Sequence, residues 1–100
     1  MAWRRVQVRT IPNADTDYER FSEEVVSYIK TNYEDTGKRT FFDVTSSDDG
    51  LILTYTSVFK DEASKNEMLS DSIISAESTR RSTINAANGI TSEVTVDEEA

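Results

Sequence analysis

The amino-acid sequence predicts a single α+β domain with the element order β-α-β-β-α-β. Three observations carry this reading. Side chains alternate with period two over Trp3 to Ile11, apolar residues recur at helical spacing in two longer segments, and β-rich runs flank the polar stretch Ser46-Ser47-Asp48-Asp49-Gly50. One hundred residues suffice for one modest core, so residues 1–100 are read as one domain with no internal repeat or linker.

The first strand places Val6 and Val8 on one side, with Arg4 and Thr10, and Trp3, Arg5, Gln7, Arg9 and Ile11 on the other. Val6 and Val8 are taken as its core-facing residues. Pro12-Asn13-Ala14 interrupts the alternation, and Thr16-Asp17-Tyr18-Glu19 has the form of a capping box. A first helix is therefore expected from about Thr16 to about Asp35, with Tyr18, Phe21, Val25, Tyr28 or Ile29, and Tyr33 as its apolar stripe and Gly37 as its stop. Tyr28 and Tyr33 are read as packing residues of that stripe.

Arg39 to Thr45 and Leu51 to Phe59 then form a hairpin whose loop ends in Asp-Gly, with Phe42, Val44, Leu51, Leu53 and Tyr55 turned to the core. A second helical segment follows Lys60. Ala63, Leu69, Ile73, Ala76, Ile84 and Ala87 lie near one face, Asp61 or Ser64 serves as cap, and Asn88-Gly89 ends it. The serines at Ser70, Ser72, Ser75, Ser78 and Ser82 weaken its middle, so a bend or a division into two helices is expected near Asp71. Ile90 to Val96 is the last strand, and residues 97–100 form an acidic tail expected to fray. Two right-handed crossovers then give the ferredoxin-like arrangement, a four-stranded antiparallel sheet with two helices on one face.

Composition narrows the functions. The formal net charge is −8, with 11 Lys plus Arg against 19 Asp plus Glu, which repels nucleic-acid phosphates and anionic lipid. Neither His nor Cys occurs, which removes the commonest proton shuttle, thiolate chemistry and sulfur-ligated metals. No cofactor or metal is expected, nor any nucleic-acid or membrane partner. No apolar run has membrane-spanning length and no secretory signal is evident, so the expected location is the cytoplasm. Asp48-Asp49-Gly50 lacks the ligand spacing of a calcium loop and reads as a turn. Arg80-Arg81 reads as a complement to the helix dipole. Asp43 and Glu93 fall on strands at opposite edges and do not make a carboxylate pair.

The short first strand and amphipathic helix, the hairpin FFDVTSSDDGLILTYTSVF and the helix opening DEASKNEMLSDS resemble the dimeric α+β barrel proteins typified by antibiotic-biosynthesis-monooxygenase domains. The resemblance covers nearly the whole chain and lies in topology and hydrophobic pattern. It implies a homodimer formed sheet to sheet. Members of that group oxidise small aromatic polyketides without a cofactor, degrade haem, or have no established reaction. Many carry a His early in the second helix, where this chain reads Ser64-Lys65-Asn66-Glu67-Met68, so a role resting on that His does not transfer.

With Val6 and Val8 toward the helices, the uncovered sheet face holds Arg5, Gln7, Arg9, Arg39, Phe41, Thr54, Thr56 and Glu93, with Glu93 reaching Arg5 or Arg9 across neighbouring strands. Two readings follow. The face is either an ordinary solvated sheet surface, or the wall of a cavity enclosed by a second copy and binding a small polar or anionic ligand through Arg5, Gln7, Arg9, Thr54, Thr56 and Glu93. The first description is of a non-catalytic or ligand-binding homodimer. The alternative is a cofactor-independent oxygenase-like or isomerase-like enzyme, with Arg5 or Arg9 on an oxyanion and Glu93 as base. Register decides between faces, because a one-residue slip would send the arginines to the core side.

Overall fold

A computed structural model describes residues 1–100. Strands β1 (Trp3–Thr10), β2 (Arg39–Ser46), β3 (Ile52–Phe59) and β4 (Thr91–Glu99) form one antiparallel sheet in the order β2-β3-β1-β4. Helices α1 (Glu23–Ile29, continuing as a π-helical turn over Lys30–Glu34), α2 (Glu62–Ser70) and α3 (Ser72–Ala87) supply the crossovers. This is the ferredoxin-like arrangement. No helix is long and apolar enough to cross a membrane.

Local chemistry explains most boundaries. Gly50 adopts a positive φ of 76° in the hairpin turn, where the Asp49 carboxylate accepts from Ser47 Oγ at 2.7 Å and Leu51 N at 3.0 Å. Asp61 caps α2 through Ser64 N at 2.8 Å. The division expected near Asp71 is present: Asp71 is extended, and its Oδ1 accepts from Ile73 N at 2.9 Å and Ile74 N at 3.3 Å to start α3.

The first helix starts later than its capping box suggests. Asn13 Oδ1 takes Asp15 N at 3.0 Å and Thr16 Oγ1 at 3.1 Å, so Thr16 is spent in a turn, and Ser22 is the true cap, accepting from Val25 N at 3.3 Å. Residues 12–22 form an irregular strap whose backbone is satisfied by α3 side chains. Glu19 N donates to Asn85 Oδ1 at 2.8 Å, Asn85 Nδ2 donates to Glu19 O at 3.2 Å, and Ser22 N donates to Glu77 Oε2 at 2.7 Å. The C-terminal residues also depart from expectation: β4 continues to Glu99, and Asp97 accepts from Trp3 Nε1 at 2.5 Å and lies 3.4 Å from Lys65 Nζ.

The faces of β1 are the reverse of the expected ones. Arg5 pairs with Ser57, Gln7 with Tyr55 and Arg9 with Leu53, so these residues point to the helix side. Val6 and Val8 pair with Thr56 and Thr54 on the open face. Trp3 and Ile11 share the parity of the arginines, and their larger apolar side chains pack at the two ends of β1. Trp3 packs against the cluster formed by Ile29, Tyr33, Phe59, Met68 and Ile74, and Ile11 joins Leu53 and Ile90. Burying these two outweighs burying two valines. Arg39 also turns to the helix side, because an irregularity between Arg39 and Phe41 shifts the register of β2.

Helix α3 shows the same inversion. Its buried residues are Ile74, Glu77, Arg81 and Asn85, whereas Ile73 and Ile84 are exposed. The apolar stripe read across both helices does not survive the break at Asp71, and the polar stripe of α3 is what holds the strap. The core is thus divided into two apolar clusters with polar side chains between them.

Candidate functional site

Between the two clusters, under the strap and α3, lies a cavity of about 420 Å³. Arg5, Gln7 and Arg9 rise from β1, Tyr55 and Ser57 from β3, Arg39 and Phe42 from β2, Phe21 from the strap, and Arg81 and Ser78 from α3. Four of the lining residues are arginines and none is a carboxylate, in a chain whose net charge is −8. The acids lie outside the cavity.

At one end, Arg9 Nη1 donates to Tyr18 Oη at 2.7 Å and Arg81 Nη2 donates to the same oxygen at 2.8 Å. Arg81 is 3% exposed, stacks 4.1 Å from the centre of Phe21 and donates through Nε to Glu19 O at 3.3 Å. Neither Arg9 nor Arg81 has a carboxylate within 4.0 Å. Burial, and then the adjacent Arg9 charge, weaken the hold of Arg81 on its proton. Both lone pairs of Tyr18 Oη are used by the two guanidiniums, so its proton goes to Tyr55 Oη, with which it is hydrogen-bonded. The Tyr55 phenol is pushed up to about 12, by burial first and then by its bond with Tyr18. It stays protonated near neutral pH, and its own O–H is left to donate.

At the other end, Arg5 Nε and Arg39 Nε are buried without a hydrogen-bond partner. The nearest acid to Arg5 Nε is Asp97 Oδ2 at 4.0 Å. Arg39, 8% exposed, sits 4.1 Å from the centre of Phe42 and donates through Nη2 to Glu34 Oε2 at 3.1 Å. Burial lowers its pKa against the opposing pull of Glu34. Every charged group facing the cavity is therefore a hydrogen-bond donor, which is chemistry complementary to an anion. No group of three or more acidic side chains is arranged to hold a metal ion.

Rigidity comes from the strap. Glu77, buried in α3, holds Ser22 N and accepts from Arg80 Nε at 2.5 Å, while Arg80 Nη1 pairs with Glu19. The Glu77 carboxyl is held down to about 2, first by Arg80 and then by the Ser22 amide. These contacts place Tyr18 and Phe21 over the sheet.

The residues expected from sequence divide into two sets. Arg5, Gln7 and Arg9 line the cavity. Thr54, Thr56 and Glu93 pair with Val8, Val6 and Val8 respectively, on the opposite face of the sheet. Glu93, opposite Val8, therefore reaches neither arginine, and a register shift between Val6 and Gln7 in the β1–β4 pairing brings Asp97 opposite Arg5. Arg81 is a wall residue and not a dipole complement. Tyr18, Arg39, Tyr55 and Arg81 are additional site residues. The signal for Arg81 was the polar repeat Glu77, Arg81, Asn85 at helical spacing.

No protein-family model matches the chain, and no curated protein sequence matches it. Among solved structures the chain is similar to that of Rv0793 from Mycobacterium tuberculosis, with a TM-score of 0.58 and 12% identity over 94% of this chain and 92% of the other, a likeness of fold.

Proposed function

We propose that this chain is a ligand-binding protein that captures a small organic anion in the cavity between its helices and sheet. The observation that carries the reading is the pairing of half-buried Arg9 with buried Arg81, which share a phenol as side-chain partner and have no carboxylate in reach. Taking uncompensated charges out of water costs several kcal/mol, about the scale at which a bound anion becomes strongly favoured. A binding role is supported over proton abstraction because no lining side chain is a base near neutral pH, and Glu93 lies on the far side of the sheet. Benzoate or sulfate should raise the thermal midpoint in a dose-dependent way, with about 2.7 kcal/mol of added stability at 100 times Kd. An unchanged midpoint with both anions at high millimolar concentration would sink the reading.

The protein works, in this proposal, as a homodimer formed through the open sheet face. Val6, Val8, Ile52 and Val58 make an apolar strip there beside Phe41, which is 50% exposed. Two such strips packed together would remove from water a surface that a monomer leaves wet. Sedimentation at micromolar concentration should give twice the chain mass, and Val8→Lys should give a folded monomer; wild-type protein sedimenting as a monomer would refute the dimer.

A further inference from the structure

We infer that the ligand carries two acidic groups, one at each end of a spacer, an inference that rests on the anion-binding reading above. The four guanidiniums are not evenly spread around the cavity. Arg9 and Arg81 converge on Tyr18 at one end, while Arg5 and Arg39 flank the cross-strand row Arg5–Ser57–Phe42, with Arg39 stacked on Phe42. Along β1, Arg9 lies four positions beyond Arg5, or about 13 Å at the usual strand rise. Arg9 leans back toward the middle, its guanidinium 4.9 Å from the centre of the Tyr55 ring, which belongs to the row of Gln7. The two cationic ends are thus separated by two to three residues of strand, roughly 7–10 Å.

Each end has unspent donor capacity of its own. At the Arg5–Arg39 end it is the two buried Nε groups without partners; their acids, Asp97 at 4.0 Å and Glu34 at 3.1 Å, approach from outside the cavity. At the Arg9–Arg81 end it is the charge itself, which a neutral phenol does not offset, together with the free O–H of Tyr55. A single carboxylate serves one end and leaves the donors of the other unused: the two partnerless Nε groups at the Arg5–Arg39 end, or the unoffset charge at the Arg9–Arg81 end. A dianion of the right span satisfies both, and the rings of Phe42 and Tyr55 give its spacer an apolar surface. The ligand class is a linear or planar dicarboxylate with acids about 7–10 Å apart.

Calorimetry on the full chain tests this with suberate, octanoate and inorganic phosphate as probes. Suberate should bind about 10- to 100-fold more tightly than octanoate, the value of one added charge-assisted recognition end. In Arg39→Gln that advantage should vanish, with suberate falling to the octanoate level. Octanoate or phosphate binding as tightly as suberate would overturn the two-ended ligand and leave anion binding standing. Failure of all three to bind would overturn both. The comparison of ligands on the unmodified chain decides the matter even where a variant fails to fold.

Discussion

Replacing Arg81 by methionine is expected to leave the unliganded protein as stable as before, or more stable by about 1–4 kcal/mol, and to weaken anion binding by about 10- to 100-fold. Arg81 is buried with no carboxylate, and its charge is repelled by Arg9, so its removal relieves an electrostatic cost. Its hydrogen-bond partners are not orphaned. Tyr18 Oη keeps Arg9 at 2.7 Å, and Glu19 O keeps Asn85 Nδ2 at 3.2 Å. Methionine replaces the aliphatic stem against Phe21 with little loss of packing. Urea denaturation of the free protein and calorimetry with suberate measure the two effects. A variant that loses more than about 2 kcal/mol of stability yet binds unchanged would mean that Arg81 is a structural residue, not a ligand-binding one.

Asp71→Ala is expected to cost about 3 kcal/mol, the largest loss foreseen for one exposed-edge substitution in this chain. Asp71 does two jobs. Its Oδ1 caps α3 at the division from α2, and its Oδ2 accepts from Tyr28 Oη and Tyr33 Oη, each at 2.7 Å. It thereby ties α1 and its π-helical turn to the start of α3. Without it the buried Tyr33 hydroxyl is left with Glu67 O at 3.5 Å. Asp71→Asn should retain the cap and lose less.

The same carboxylate sets an acid limit on stability. Desolvation pushes the Asp71 pKa up, but the bonds from Tyr33, Tyr28 and the helix amides together outweigh it, and the folded-state pKa lies below the ordinary value of 3.8. A depressed carboxylate contributes stability that is fully present above its unfolded pKa and is lost as pH falls through the folded one. Glu77, held down to about 2 against an ordinary 4.5, acts in the same direction. Stability should therefore be level above about pH 5 and fall steadily toward pH 2, and Asp71→Ala should fall less steeply. Denaturant midpoints for both proteins between those limits check this; parallel curves would show that Asp71 titrates alike in the folded and unfolded chains.

Most of the local structure was legible in the residues. The hairpin at Asp49-Gly50, the cap at Asp61, the break at Asp71 and the stop at Gly89 each rest on side chain-to-backbone bonds or positive φ within a few residues, so local sequence suffices to specify them. The capping box at Thr16 did not form because Asn13 draws Thr16 into a turn and because Asn85 and Glu77, more than 50 residues away, hold the rest of the strap in an open form. The site was half legible. Arg5, Gln7 and Arg9 stood out, but Tyr18, Arg39, Tyr55 and Arg81, which join them, come from four other segments of the chain, and only Arg39 was placed on the same sheet face.

What the sequence determined by itself was the order of elements, the ferredoxin-like topology, the even spacing of three polar residues along β1 and the presence of arginines in an acidic chain. Which face those arginines take was decided only by tertiary structure. Strand alternation has a period of two and is indifferent to which side is covered. The choice is made by packing, where Trp3 and Ile11 outweigh Val6 and Val8 and carry Arg5 and Arg9 inward with them, into a cavity that Arg39 and Arg81 complete.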